Sequence, residues 1–429
     1  MTGEKDDGNP SRIAVVGAGV AGLTAADALA ARHDVVVYES ERVAGGHAHT
    51  VQVEDGLDSR ALDVGFLVYN ERTYPLFTRL LERLGVETQL SEMSFSVQCG
   101  ACDLAYSGRG VRGLTARPRQ LLRPSYWRLL RDVTRFNEWA RSVTEPPAGA
   151  TLGPAVREAG LSDELVRHYV LPMTSAIWSS SVADAEQFPL DLFLRFFHNH
   201  GLLQVRNQPP WRTVSGGSQR YVARLAERLG ARLRCGQPVA RVERGAEEVT
   251  VRPVDGAAER FDRVVLATHT DQALGLLEDP DARERELLEA IPYRANDLLL
   301  HTDRSVLPGS PHVWAAWNYH VPDCQDPSRP LEMTYLLNRL QGFESDHPFC
   351  VTLNDSGTVR SDRVLRRFRF SHPHYSVAGL RARERLRSEN GARRTYFCGA
   401  YLGNGFHEDG VRAGLDVARA IDPEADWSR

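Results

Sequence analysis

Three glycines, Gly17, Gly19 and Gly22, stand in G-x-G-x-x-G spacing, and a carboxylate, Glu39, follows 22 residues after the first of them. Residues of these types at this spacing can bind a dinucleotide. Gly17 permits a tight turn, Gly19 lets backbone approach a pyrophosphate, and Gly22 lets a helix pack closely on a strand. Glu39 is placed to accept hydrogen bonds from an adenosine ribose, and its charge argues against a 2′-phosphate and so against NADP. The surrounding elements put these groups in register. Ile13 to Val16 is an apolar, β-branched run suited to a buried parallel strand, Leu23 to Arg32 is Ala/Leu-rich and helical, and Asp34 to Tyr38 is a second strand ending at Glu39. The helix N-terminus offers unpaired N–H groups and the positive end of its dipole to phosphate.

Arg42 and the pair Gly45-Gly46 follow at once and offer phosphate a second close backbone approach. This acid, arginine and glycine-pair pattern resembles the flavin-containing amine oxidase and phytoene desaturase superfamily. In this chain the arginine sits one position early, and His47 replaces the family's terminal arginine. The cofactor the resemblance implies is FAD, with His47 and His49 as phosphate or flavin contacts rather than a metal pair. Noncovalent attachment is expected, because Cys398 precedes Gly399 and no cysteine stands beside the last glycine motif where some amine oxidases attach their flavin. Many amine oxidases of the superfamily keep a lysine near flavin N5; here Lys5 is the only lysine.

The resemblance extends along the chain. Asp63-Val64-Gly65 matches a segment that lies against the flavin, or forms a turn between strands. W-R-T-V-S-G-G-S, from Trp211, matches a glycine turn before a helix, and Val239 falls in the segment whose backbone meets the adenine. The strand Thr395 to Cys398 ends at Gly399, and a helix beginning near Gly410 is expected to point its N-terminus at the flavin, with Asp409, Gly410 and Val411 at the contact positions. The family's acid after the strand glycine is missing, since Ala400 and Tyr401 stand there. His407, Glu408 and Tyr401 are the candidate catalytic residues; the two titratable ones could move a proton or could cap the helix and hold the loop. H-N-H-G-L-L and G-F-H-E-D-G look like a bacterial branch of predicted FAD-binding proteins associated with cyclopropane and methyl-branched fatty-acid biosynthesis.

These elements predict an α/β fold: a Rossmann-like FAD-binding domain with a discontinuous α+β substrate domain, amine oxidase-like. The expected division is a disordered N-terminus at 1–10, FAD-binding segments at 11–92, 211–290 and 389–422, and substrate segments at 93–210 and 291–388. Within the latter, L-L-L-H-T-D-R, W-A-A-W-N-Y and M-T-Y-L-L-N-R-L-Q read as antiparallel strands. The aromatic run from 160 to 210, with Trp178, Phe188, Phe193, Phe196 and Phe197, reads as core that also walls a hydrophobic substrate tunnel. His198 and His200 read as hydrogen-bonded core or turn residues.

Composition narrows the partners. A net charge of −4 carries no nucleic-acid signature. No apolar run reaches the roughly 20 residues that span a bilayer. Residues 112–141 are rich in arginine with interleaved aromatics, so that helix either packs its aromatic face inward or meets an anionic membrane surface. Of six cysteines only Cys99 and Cys102 are close, as C-G-A-C; a redox or zinc C-x-x-C is the alternative, but with no second pair or His pair to complete a metal site they read as free thiols in a hairpin turn with no metal, which suits a reducing, cytoplasmic setting. The expected activity is hydride transfer from a hydrophobic substrate, an unsaturated or methylated fatty-acyl chain, with O2 or another electron acceptor. Amine oxidation, redox-neutral double-bond isomerisation and a non-catalytic flavin scaffold are the alternatives.

Overall fold

The computed structural model describes residues 10–178, 181–204, 209–326, 332–425 and 427; the expected disordered stretch 1–10 lies almost wholly outside them. The first strand, β1 (Arg12–Val16), is the centre of a five-stranded sheet. It pairs in parallel with β2 (Asp34–Glu39) on one side and with Arg263–Leu266 on the other. Leu233–Cys235 and Thr395–Phe397 add the two parallel edges. Ile13, Ala14 and Val15 are fully buried, as a strand covered on both faces requires. Segments more than 200 positions apart thus complete one sheet.

Helix α1 (Val20–Leu29) joins β1 to β2 and is buried along almost its whole length. The closing helix, His407–Ile421, packs directly against it. The approach is close: a Cβ at Gly410 would meet Val20 Cγ1 at 2.6 Å, and one at Gly414 would meet the Ala21 carbonyl at 2.5 Å. A small antiparallel sheet of Val239–Arg244, Val249–Pro253 and Glu259–Phe261 flanks this domain.

A seven-stranded sheet forms the second unit, in the order Val364–Pro373, Tyr293–His301, Cys350–Leu353, Glu332–Leu336, Trp317–Val321, Phe95–Cys99, Leu104–Ser107. All pairs are antiparallel except Trp317–Val321 with Phe95–Cys99, where two distant parts of the chain meet in parallel. The expected strand through M-T-Y-L-L-N-R-L stops at Leu336, and Leu337–Leu340 turns into a short helix. Helices between 110 and 199 pack beside this sheet, the longest being Pro124–Ser142. Phe193 and Phe197 stack at 3.9 Å and are fully buried in its core. They are therefore packing residues and not tunnel walls; of the run, Trp178 and Phe188 reach a shallow cleft beside Arg294 and His372. Among the described residues no helix is long and apolar enough to cross a membrane.

Candidate flavin site

The glycine turn forms as its spacing requires. Gly17 has φ +103°, a left-handed conformation that side chains resist, and its N–H donates to the Tyr38 carbonyl at 2.8 Å. A Cβ on Gly22 would lie 2.0 Å from the Gly17 carbonyl, so only glycine allows α1 to start this close to β1. At Gly19, by contrast, a Cβ would meet no protein atom within 4 Å. That open face lies at the N-cap of α1, above first-turn N–H groups that have no intrahelical partners. The second glycine pair folds onto it: Gly45 N–H donates to Ala18 O at 2.9 Å, and Gly46 packs against Gly19. Arg42 beside them is exposed and makes no ion pair among the described residues.

Glu39 is nearly buried at the end of β2. One carboxylate oxygen accepts the Ala18 N–H at 2.7 Å and the other accepts the Glu41 N–H at 2.9 Å. A carboxylate has about four acceptor sites, so capacity remains for ribose hydroxyls. The Gln237 N–H donates to the Glu39 carbonyl at 2.8 Å, which brings the strand starting at Val239 alongside.

Asp63-Val64-Gly65 lies under the same cradle. A Cβ at Gly65 would stand 2.2 Å from the His47 carbonyl. The His47 ring turns toward the edge strand Val364–Pro373, 5.1 Å from Phe370 and 5.0 Å from His372. His269 is 6.5 Å away and stacks on Tyr293 at 4.0 Å. Burial depresses the pKa values of all three histidines, His372 to about 4. They are therefore neutral at ordinary pH. His47 Nε2 is enclosed without a hydrogen-bond partner among the described residues, a polar atom left for a ligand to satisfy.

His269, Tyr293, Phe370 and His372 are additions to the sequence reading. The alternation in R-F-R-F-S-H-P places Phe368, Phe370 and His372 on one face of a strand, and that period-2 signal could have found two of them. Which strand they would line was not readable.

The closing motif requires a correction. Its helix starts at His407, three residues before Gly410, and Gly410 and Val411 are buried within it. Gly410 serves the contact with α1. Asp409 accepts the Phe406 N–H at 3.0 Å and so caps its own helix. His407 stacks on Phe66 at 3.7 Å, and its Nε2 lies 3.0 Å from the Tyr221 hydroxyl; burial lowers its pKa to about 3. Glu408 accepts the N–H groups of Leu76 and Phe77, each at 3.0 Å, capping the helix Pro75–Arg83, and pairs with Arg412 at 2.9 Å. Tyr401 is fully buried, its ring across Gly399, and its hydroxyl has no partner among the described residues. Of the three, Tyr401 meets the Tyr293 ring edge-on at 6.4 Å, while His407 and Glu408 make their hydrogen bonds with Tyr221, Leu76 and Phe77. His200 stacks on Phe196 at 3.8 Å and hydrogen-bonds its carbonyl, a core role as expected.

A parallel sheet carrying a double glycine cradle, faced by the edge of a second sheet, is the architecture of a dinucleotide-binding protein with a separate substrate unit. The chain belongs to the flavin containing amine oxidoreductase family, whose model matches residues 20–336. Its cofactor is a flavin, and the open Gly19 face, the ribose-side carboxylate and the unsatisfied His47 nitrogen fit FAD. AofH of Mycobacterium tuberculosis, named as a flavin-containing monoamine oxidase, is 28% identical over 255 residues; the match covers 58% of this chain and only 54% of that protein. Two solved structures share the fold. A fatty acid isomerase from P. acnes that produces CLA aligns with TM-score 0.69 and 16% identity, over 96% of this chain and 98% of that one. Cyclohexylamine oxidase from Brevibacterium oxydans aligns with TM-score 0.68 and 17% identity, over 97% and 99%.

Proposed function

We propose that this protein is an FAD-dependent oxidoreductase that removes a hydride from an uncharged, hydrophobic substrate, an unsaturated or methylated fatty-acyl chain. The observation that carries this reading is the ring of neutral histidines and aromatics around His47. Phe370, His372 and His269 lie around His47, Tyr293 stacks on His269, and Phe368 meets the neighbouring His49. The only lysine in the sequence is Lys5, so a lysine-held water at the flavin and a Schiff base both lack a donor within the described residues.

When bound, noncovalently, FAD supplies a two-electron acceptor, reoxidised by O2 or another oxidant. Gly19, Gly45, Gly46 and the α1 N-terminus would hold its pyrophosphate, Arg42 would add positive charge, and Glu39 would hold its ribose. His47 and His372 would bound the reacting end of the substrate. Burial keeps both imidazoles uncharged, so they line the site as neutral groups and put no charge beside an apolar chain.

Two further readings rest on specific similarities. Amine oxidation is favoured by the family and by the 28% identity to AofH. Redox-neutral isomerisation of a double bond is favoured by the fold shared with the fatty acid isomerase. Anaerobic bleaching of the oxidised flavin band separates them, with unsaturated and methyl-branched phospholipids in one arm and primary, secondary and polyamines in the other. Bleaching by lipids supports the proposal. Bleaching by amines alone overturns it. No bleaching, with a shifted double bond in recovered lipid, establishes the isomerase.

A peripheral membrane contact around 112–141 is part of the same proposal, on different residues from those first expected. Four of the eight arginines there are seen in ion pairs among the described residues, Arg117 with Asp103, Arg128 with Glu164, and Arg131 and Arg135 with Asp132. Leu122 and Trp127 are instead 85% and 55% exposed, and the Trp127 indole N–H donates to the Leu121 carbonyl at 2.7 Å, so the two form an apolar tip that water alone does not favour.

A further inference from the structure

The C-G-A-C pair does not stand alone, contrary to the sequence expectation. Cys99 ends a strand at the sheet edge and Cys102 follows in the turn before Leu104–Ser107. His168 comes from the helical stretch Val166–Val170, and Cys324 follows the strand Trp317–Val321. The three sulfurs and the His168 ring nitrogen all lie within 4.8 Å of one another. Cys102 Sγ and His168 Nε2 are 3.5 Å apart.

We propose that Cys99, Cys102, His168 and Cys324 form a structural zinc site that clamps the helical subdomain to the edge of the seven-stranded sheet. Ligand identity, count and spacing all match. Cys₃His is a common closed zinc set, with the two-residue gap of C-x-x-C. Tetrahedral bonds to sulfur and nitrogen put ligand atoms about 3.6–3.8 Å apart, so the four need to contract by about 1 Å at most around one ion. The histidine is held for the purpose. Its Nδ1 lies 3.2 Å from the Glu164 carbonyl, which fixes the proton there and leaves the Nε2 lone pair toward the sulfurs. The chain around the site is folded tightly: Gly100 N–H donates to Val321 O at 2.9 Å, and a Cβ at Gly100 would meet Pro322 O at 2.9 Å. Asp103 takes the left-handed conformation that returns the chain to the sheet, with φ +51°. Three thiolates leave the occupied site with one net negative charge, and the Arg123 guanidinium, bonded to the Cys102 carbonyl, stands beside it. The thiol protons leave to solvent on binding. Cys99 and His168 are buried, so the metal would have little solvent access and no open position, which marks the site as structural and separate from the flavin chemistry.

The test is zinc content of the full-length flavoprotein purified without added metal, by inductively coupled plasma mass spectrometry. About one zinc per chain is expected, falling to about a tenth or less in Cys324→Ser and in His168→Ala, and unchanged in Cys235→Ser, whose thiol is exposed and distant. Flavin content reports folding of each variant. Should a variant fail to fold, the wild type stripped by chelator is titrated with zinc against a chromophoric competitor, and its melting temperature is expected to rise on reloading. The proposal is overturned by a wild type that takes up no zinc in that titration, by iron in its place, by zinc retained in both ligand variants, or by a disulfide among these cysteines in denaturing alkylation mass spectrometry.

Discussion

The carboxylate of Asp63 accepts both the backbone N–H and the hydroxyl of Ser218, at 2.9 and 2.7 Å, across 155 positions of sequence. Thr50 donates to the same oxygen at 2.6 Å, and Thr50 in turn accepts the Gln219 N–H at 3.0 Å. One buried acid thereby ties the D-V-G segment beneath His47 to the glycine turn that starts the helix Gln219–Leu229. Two motifs that the sequence shows separately are one structural unit, and the cradle rests on it.

Burial raises the Asp63 pKa from 3.8 to about 6. The folded state therefore takes up a proton between pH 6 and 4 that the unfolded chain does not. The sign follows: this residue makes a stabilising contribution that grows as pH falls through 6 and is lost as pH rises through it, about 3 kcal/mol when complete. In Asp63→Asn the contribution is absent. The melting-temperature difference between wild type and variant, measured from pH 7 to pH 5, is expected to shift toward the wild type; a difference independent of pH would refute the assignment.

His407 and Glu408 hold the fold together, and their variants should show it. Glu408→Ala removes the cap of Pro75–Arg83 and is expected to cost about 1–2 kcal/mol, with Glu408→Gln costing less. His407→Gln should leave the pH profile of flavin reduction by the substrate unchanged near neutrality. Stability by thermal melting and the rate of flavin reduction, measured on the same samples, separate the roles. A loss of rate of about a hundredfold or more without loss of stability would restore His407 to proton transfer.

The two glycines at the start of α1 predict opposite defects. Gly22→Ala forces a Cβ against the Gly17 carbonyl and should fail as a fold, yielding little soluble protein. Gly19→Ala meets no protein atom, so the chain should fold and melt near the wild-type temperature of the flavin-free protein while retaining little FAD. Flavin absorbance per chain and circular dichroism check both.

The exposed tip predicts membrane association. Co-sedimentation with anionic phospholipid vesicles should fall about tenfold or more in the Leu122→Asp, Trp127→Asp double variant, since each buried apolar side chain contributes roughly 1.5–3 kcal/mol. The flavin spectrum should stay unchanged. Equal sedimentation of variant and wild type would exclude this tip as the contact.

The nucleotide half of the protein was legible in the sequence because its chemistry is local. Gly17, Gly19, Gly22 and Glu39 do their work within one strand–helix–strand unit, where spacing alone fixes which atoms meet. Gly45 and Gly46 follow closely enough for the same to hold. The substrate side was not legible in this way. His47, His269 and His372 come from three distant segments: the pairing of Tyr293–His301 with Val364–Pro373 sets His372 near Tyr293, on which His269 stacks, and tertiary packing brings His47 to them. The same reason hid the partners of C-G-A-C: Cys324 arrives through a parallel pairing of strands more than 200 positions apart, and His168 from a helix packed beside them. The sequence leaves His407 and Glu408 open between proton transfer and a structural role. Their residue types suit proton transfer, but burial against Phe66 and capping of a helix 331 positions away are properties of packing, which spacing cannot encode.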